Sequence, residues 1–526
     1  MTLLANGDES APVMTTDSAR HARPYWSDRK ISVGLFVGVL IVYLAVMRGK
    51  IEVYDTEAML GVTQNLVHHG SLHADGAGYS LANPWSPYGI GVSILAIPPY
   101  VLSLVTGHFD VLVSFINPLV TATCVLLIYK IARAVAWTPW QGMVAALAFG
   151  LPTIAIWYSL ELLSEPEVTL CVLLIVLEMV RWREGRSSAP LILGLTLAAA
   201  IQFRSDAMLT VGVGFLALPL FVSAQELFSK RSLVRMAPPI LVSVAFLLWY
   251  NELRFGSLVV FGYGTNDNYY DTPLIHGLQG LLISPGAGLF VYNPLTAVGV
   301  VGVALILFGP KVERDRSVGL LVLLLIIPRM LFFAKWHYWW GGSTWGPRFL
   351  LPVVALLSLM IVPVLRCSTT VVTRAATYLA VTVLALLGGF VSYLSARVPL
   401  GEWLSVLSSP QLRARLGIQN AGTAAQQFNA LYFKWSTSPL GGYLTLMRHH
   451  LALPSGDLWA YGHADAGYAL VAIGLLCLLV VSVGAVRLSS VAALELHNVC
   501  ASPDPGLGNE SSEDASRLNP ALANEP

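Results

Sequence analysis

Apolar residues along this chain gather into long runs rather than into alternating or one-sided stripes. Runs long enough for a bilayer-crossing helix, roughly 17–25 residues, fall at about 31–47, 110–131, 141–158, 166–182, 189–203 and 207–223. Others fall at about 236–250, 286–309, 317–334, 349–365, 375–394 and 464–486. The pattern predicts an all-α polytopic integral membrane protein with about twelve transmembrane helices. A further run, 90–106, is interrupted by Pro98-Pro99. It is expected to lie at the membrane edge rather than to cross. Met59, Leu60, Val62, Leu66 and Val67 mark a short juxtamembrane helix in the same loop, with Gly70 as its stop.

Basic residues assign the two sides. If 90–106 does not cross, the groups Lys130/Arg133, Arg181/Arg183/Arg186, Lys230/Arg231/Arg235, Lys311/Arg314/Arg316, Arg366/Arg374 and Arg487 all fall on the cytoplasmic face with the N-terminus. The predicted organisation begins with a polar cytoplasmic tail, 1–30, that has no signal-peptide pattern. A transmembrane module follows over 31–365, with outer loops 48–109, 158–166, 251–285 and 335–348. Beyond it are expected a further helix at 366–394, an extracytoplasmic cap at 395–462, a last helix at 463–487 and a disordered cytoplasmic tail at 488–526.

Composition narrows the function classes. Of 526 residues, 55% are hydrophobic and only 12% charged, against roughly 25% charged in a soluble domain. Mean hydropathy is +0.66. A water-soluble enzyme is excluded. With 31 Lys and Arg against 30 Asp and Glu, a basic nucleic-acid binder is excluded too. The five cysteines show no pairing pattern.

Chemistry-bearing residues concentrate in the outer loops. Asp55 and Glu57 follow the first run, where a carboxylate can cap a helix or serve as a fixed base. Glu161, Glu165 and Glu167 crowd the second loop; Glu165-Pro166 can simply open a helix after Ser164, yet acids this near a bilayer are costly. Arg204 and Asp206 share a turn where an ion pair is the plain reading and anion binding the sharper one. Arg254 lies in the third loop. The string AKWHYWWGGSTWGPRFLLP carries Lys335, His337 and Arg348 among Trp336, Tyr338, Trp339, Trp340 and Trp345, an expected interfacial aromatic belt. An arginine at the mouth of a span suits a lipid phosphate. There is no HExxH or Cys/His pattern, so no metal site and no required cofactor are implied, and a divalent ion on the loop acids has no support.

In order, YDTEAMLGVTQNLVHHG, SPYG…IPPY, LELLSEP, FRSDAML, NELRFGS…GYG, GLLISPGAGLFVYNPL and KWHYWWGGSTWGPRFLLP resemble the bacterial polytopic glycosyltransferases of the GT-C superfamily. That group includes protein O-mannosyltransferases and the lipid A aminoarabinose transferase; the likeness runs over about residues 30–365. It implies a GT-C-like fold and transfer of a hexosyl or pentosyl group from a polyprenyl-phosphate-linked donor, with inversion, to an extracytoplasmic hydroxyl on a glycan, lipid or protein. The location implied is the bacterial plasma membrane, with the active site facing outside. The resemblance carries the catalytic acid over to Asp55, or Glu57 because Thr56 separates the pair, and the second-loop acid to Glu161 or Glu165. Arg204, Lys335, Arg348 and Arg254 are the candidates for the donor phosphate. Tyr54, His337, Trp339, Trp340 and Trp345 are the candidates for sugar or lipid contact. Two other classes stay open: a non-catalytic lipid-binding protein of the same fold, and a lipid or solute transporter.

Overall fold

The computed structural model describes residues 26–51, 53–74, 84–262, 267–309, 313–342, 344–368, 370–397, 403, 432–448 and 464–501. Most of the expected cap at 395–462, and the tails 1–25 and 502–526, lie outside these. Among the described residues every regular element is helical.

The helices that position the site are α1 (Asp28–Val46), α2 (Tyr54–His69), α3 (Ile116–Ala134), α4 (Glu165–Arg183), α5 (Ala189–Phe203), α6 (Ala207–Ala217), α7 (Lys230–Phe255) and α8 (Leu274–Ile283). After them come α9 (Thr296–Phe308), α10 (Glu313–Lys335), α11 (Leu351–Leu359), α12 (Val371–Arg397) and α13 (Ala464–Ala501). Local signals explain several ends. Ser27 caps α1 by accepting from the Lys30 amide. Gly70 ends α2 in the left-handed region at φ 62°, where its missing Cβ removes the strain.

Seven helical stretches are long and apolar enough to cross a membrane among the described residues. The expected twelve spans therefore exceed the count that helix length supports. The run 141–158 divides into Pro139–Gly150 and Ala155–Leu160, and 286–309 into Leu289–Tyr292 and α9. The helices α5 and α6 are short, and α4 is long but carries Glu165, Glu167, Glu178, Arg181 and Arg183. Within 90–106 the chain forms Gly91–Leu95 and Ile97–Thr106, at ten residues about 15 Å and too short to cross. At the other end α13 continues to Ala501, past the expected boundary at 487, because Ala, Leu and Glu sustain a helix until Pro503.

The stretch Arg348–Cys367 is the centre of the bundle: 94% of its apolar window is buried, against 28% for α7 and α13. Glycines let backbones approach it. A Cβ at Gly299 of α9 would stand 2.1 Å from the Leu357 carbonyl oxygen, and one at Gly302 only 1.7 Å from that of Met360. At the periphery, Gly34 and Gly38 of α1 receive Val481 and Leu478 of α13. Because backbone cannot yield as a side-chain tip can, Gly302→Leu is expected to cost at least about 1–3 kcal/mol. It should lower the thermal midpoint of the detergent-solubilised protein; an unchanged midpoint would refute the close approach.

Candidate active site

Six ionised side chains alternate in sign at one end of the bundle. Asp55 accepts from Arg348 Nη2 at 2.6 Å, and Arg348 Nε donates to Glu165 Oε1 at 2.6 Å. The same Glu165 oxygen accepts from Arg204 Nη1 at 2.5 Å. Arg204 Nε donates to Asp206 at 2.6 Å, and Asp206 meets Arg329 Nη1 at 3.3 Å. Three acids and three arginines balance.

Helix ends explain why these residues tolerate burial. Asp55 lies in the first turn of α2, Glu165 opens α4, and Asp206 sits at the N-cap of α6, so each carboxylate occupies the positive end of a helix dipole. Arg204 is the C-cap of α5, the end that favours a cation. Arg348 begins the central stretch and Arg329 projects from α10. Asp55 is not the cap of α2; Val53 occupies that position without a side-chain bond, leaving the carboxylate for Arg348. Burial alone would raise the Asp55 carboxyl, but Arg348, a hydrogen bond from Tyr88 and the nearby Arg204 hold it below the usual carboxylate value. Asp206 is lowered likewise, its burial outweighed by Arg204 and Arg329.

The helix geometry separates the acids after α1. Asp55 faces the network with 17% of its side chain exposed. Thr56 is buried and donates to the Leu162 carbonyl, whereas Glu57 is exposed on the other side. Glu161 stays outside the network, buried against Arg48 at 3.2 Å. Arg254 is also elsewhere: its guanidinium donates to the Ser86, Tyr88 and Tyr250 carbonyls and to Asn251 Oδ1, and packs 3.8 Å from the Tyr250 ring centroid. Arg254 thereby holds the loop that presents Tyr88. Lys335 is half-buried and makes no ion pair among the described residues. His337 pairs with Asp271 at 3.0 Å, tying the chain beside the 3-10 turn Asp267–Tyr270. Tyr54 is half exposed at the start of α2.

The expected aromatic belt is a core instead. Gly341, Gly342 and Gly346 take φ values of 87°, 75° and 66°, folding the chain back on itself. Trp339, Trp340 and Trp345 are consequently buried, with Trp340 stacked on Tyr432 and Trp345 on Tyr443. The same turn aims Arg348 inward, and its Nη1 donates to the Gly341 carbonyl.

Beside the network opens a cavity of about 720 Å³. Its walls are Val259, Phe261, Tyr269, Tyr270, Phe332 and Trp336, and its charged corner is Arg204 with Asp206. Phe349, next to Arg348 in the chain and stacked on Phe333, belongs to the same wall. Arg329 and Tyr88 join the site without having been among the candidates from sequence; Asp206, singled out there as the ion-pair partner of Arg204, and Trp336, as part of the aromatic belt, join it as well. Arg329 carried a signal of its own, a charge inside an apolar run. No cluster of His, Cys, Asp and Glu able to hold a metal occurs among the described residues.

Neither a protein-family model nor a curated protein matches this chain. Among solved structures, the chain is similar to ArnT from Cupriavidus metallidurans bound to undecaprenyl phosphate. The identity is 12% and the TM-score 0.45, over 87% of this chain and 77% of that one. The apo state of the same protein gives 14% identity and a TM-score of 0.42, over 87% and 76%.

Glu165 is the shared counter-ion of two buried arginines, so Glu165→Gln should cost about 3–5 kcal/mol. Glu57→Gln, on an exposed unpaired acid, should stay within about 0.5 kcal/mol. Thermal midpoints of the two variants in detergent test the contrast; equal shifts would refute it. The lowered Asp55 and Asp206 carboxyls make a second prediction. Their contribution to stability is fully present above the unfolded value of about 3.9 and is lost as pH falls through the lower folded values. The thermal midpoint should therefore fall below about pH 4, and Asp206→Asn should flatten that fall.

Proposed function

We propose that this membrane protein transfers a sugar from a polyprenyl-phosphate-linked donor to an acceptor hydroxyl, with Asp55 as general base. One observation carries the reading. An aromatic-walled cavity shares Arg204 and Asp206 with a charge network that terminates on Asp55. Apolar walls with a single ionic corner suit an amphiphile whose head is a phosphate. The prenyl chain lies along Tyr270, Phe332 and Trp336 in this reading, and the phosphate reaches Arg204 at the corner and Arg348 beyond it, which shares Glu165 with Arg204.

Charge balance then supplies the mechanism. Every arginine of the network already has a carboxylate, so an arriving phosphate competes with Asp55 for Arg348. As the phosphate takes the Arg348 fork, Asp55 loses the cation that kept its carboxyl low and becomes a stronger base. Donor binding thereby activates the base. Asp55 removes the proton from the acceptor hydroxyl as its oxygen bonds to the anomeric carbon. The bond from that carbon to the phosphate oxygen breaks, and polyprenyl phosphate leaves with the electron pair against Arg348 and Arg204. A single displacement inverts the anomeric centre. Prenyl phosphate needs no general acid to depart, and the arginines stabilise the charge it leaves with.

Purified protein supplied with decaprenyl- or undecaprenyl-phosphate-linked mannose or arabinose tests this. Asp55→Asn is expected to lower transfer by roughly 10²–10⁴-fold with insertion unchanged. Arg348→Lys keeps the charge but loses the fork, and should weaken donor binding about tenfold. Wild-type transfer by the Asp55 variant would overturn the base assignment.

A further inference from the structure

A second cavity, about 580 Å³, opens at the opposite end of the helices, between the start of α1 and the end of α3. Arg29, Lys130, Arg133 and Arg181 line it, with Asp28 as the lone acid. Asp28 does not repel an anion there. Arg133 donates to both of its oxygens, at 2.9 and 3.1 Å, and the Tyr129 hydroxyl donates at 2.5 Å. Arg181 is matched by Glu178 at 2.5 Å. Arg29 and Lys130 remain, and their side chains form no ion pair among the described residues.

The rest of the lining is apolar and ordered along the helices. Val33 and Phe36 lie four and seven residues beyond Arg29, about 6 and 10 Å toward the bundle's middle. Leu126 lies one turn from Lys130 in the same direction. Val33 is 57% exposed, so the groove is open along its side as well as at its end. Two uncommitted cations at a helix terminus above an apolar floor are the shape of a phospholipid, head outward and acyl chain inward. Basic clusters crowd this end in the sequence, which marks it as the cytoplasmic face.

We infer that this groove binds an anionic phospholipid of the cytoplasmic leaflet, its phosphodiester between Arg29 and Lys130 and its acyl chain against Val33, Phe36 and Leu126. The site shares no lining residue with the donor cavity and does not depend on the activity proposed above. A basic pocket between membrane helices is the arrangement that recognises anionic headgroups.

The full chain in dodecyl maltoside, titrated with dioleoyl phosphatidylglycerol, dioleoyl phosphatidylcholine or inorganic phosphate, provides the test. Retained lipid is read by native mass spectrometry and protein stability by thermal midpoint. Phosphatidylglycerol should be retained and raise the midpoint, whereas phosphatidylcholine and inorganic phosphate should not. The double variant Arg29→Gln, Lys130→Gln should weaken phosphatidylglycerol retention roughly 30-fold. Both side chains are free of ion pairs, so the variant is expected to keep the parent's midpoint without lipid. Equal retention of the two lipids overturns the inference. So does phosphatidylglycerol retention that the double variant leaves unchanged, which would place the lipid elsewhere. Stabilisation by inorganic phosphate matching that of the lipid would reduce the groove to an anion site and overturn it as well.

Discussion

The arrangement of this protein turns on one buried carboxylate oxygen. Glu165 Oε1 lies between the Arg204 and Arg348 guanidiniums, joining the turn after α5 to the mouth of the central helix. A carboxylate and two guanidiniums removed from water are stable only together, since each alone carries a desolvation penalty of several kcal/mol. Three segments meet at this atom, and the pairs of Asp55 with Arg348 and Asp206 with Arg329 bring two more into the network. Placement at helix ends reduces the penalty further: the acids lie at N-termini, and Arg204 closes a helix.

That constraint also gives the site its chemistry. A neutral network of alternating charges cannot add an anion without giving up one of its own pairs. The pair that most readily opens is the outermost, Asp55 with Arg348, because Asp55 keeps some exposure while Glu165 has none. In the reaction proposed above, binding and activation of the base are therefore one event. The aromatic cavity alongside, walled by Tyr270, Phe332 and Trp336, offers an apolar guest a route to the same corner. The two ends of the bundle contrast: one matches each arginine of the network with a carboxylate, and the other leaves Arg29 and Lys130 without an ion pair among the described residues.

Much of the fold was legible as sequence. The apolar runs at 31–47, 110–131, 236–250, 317–334, 349–365, 375–394 and 464–486 each fall on a long apolar helix, and Gly70 ends α2 as its position suggested. Breaks within 141–158 and 286–309 escape hydropathy, which reports burial and not where a helix bends; Pro152 and Pro294 stand at them. Tryptophans 339, 340 and 345 misled for the same reason: an aromatic at a lipid interface and one in a packed core read alike, and only the three left-handed glycines decide between them.

By itself the sequence determined which residues had to be accounted for. Water cannot reach an apolar bundle, so Asp55, Glu165, Arg204 and Arg348 needed partners or a task. Partner choice was decided only in three dimensions. Arg254 turned to backbone carbonyls, Glu161 to Arg48, and Glu57 to the exposed side of its helix, while Asp206 and Arg329 joined the network. Ion pairing depends on where guanidinium forks converge to within about 3 Å, and separations of 39 and 183 residues along the chain carry no trace of that distance.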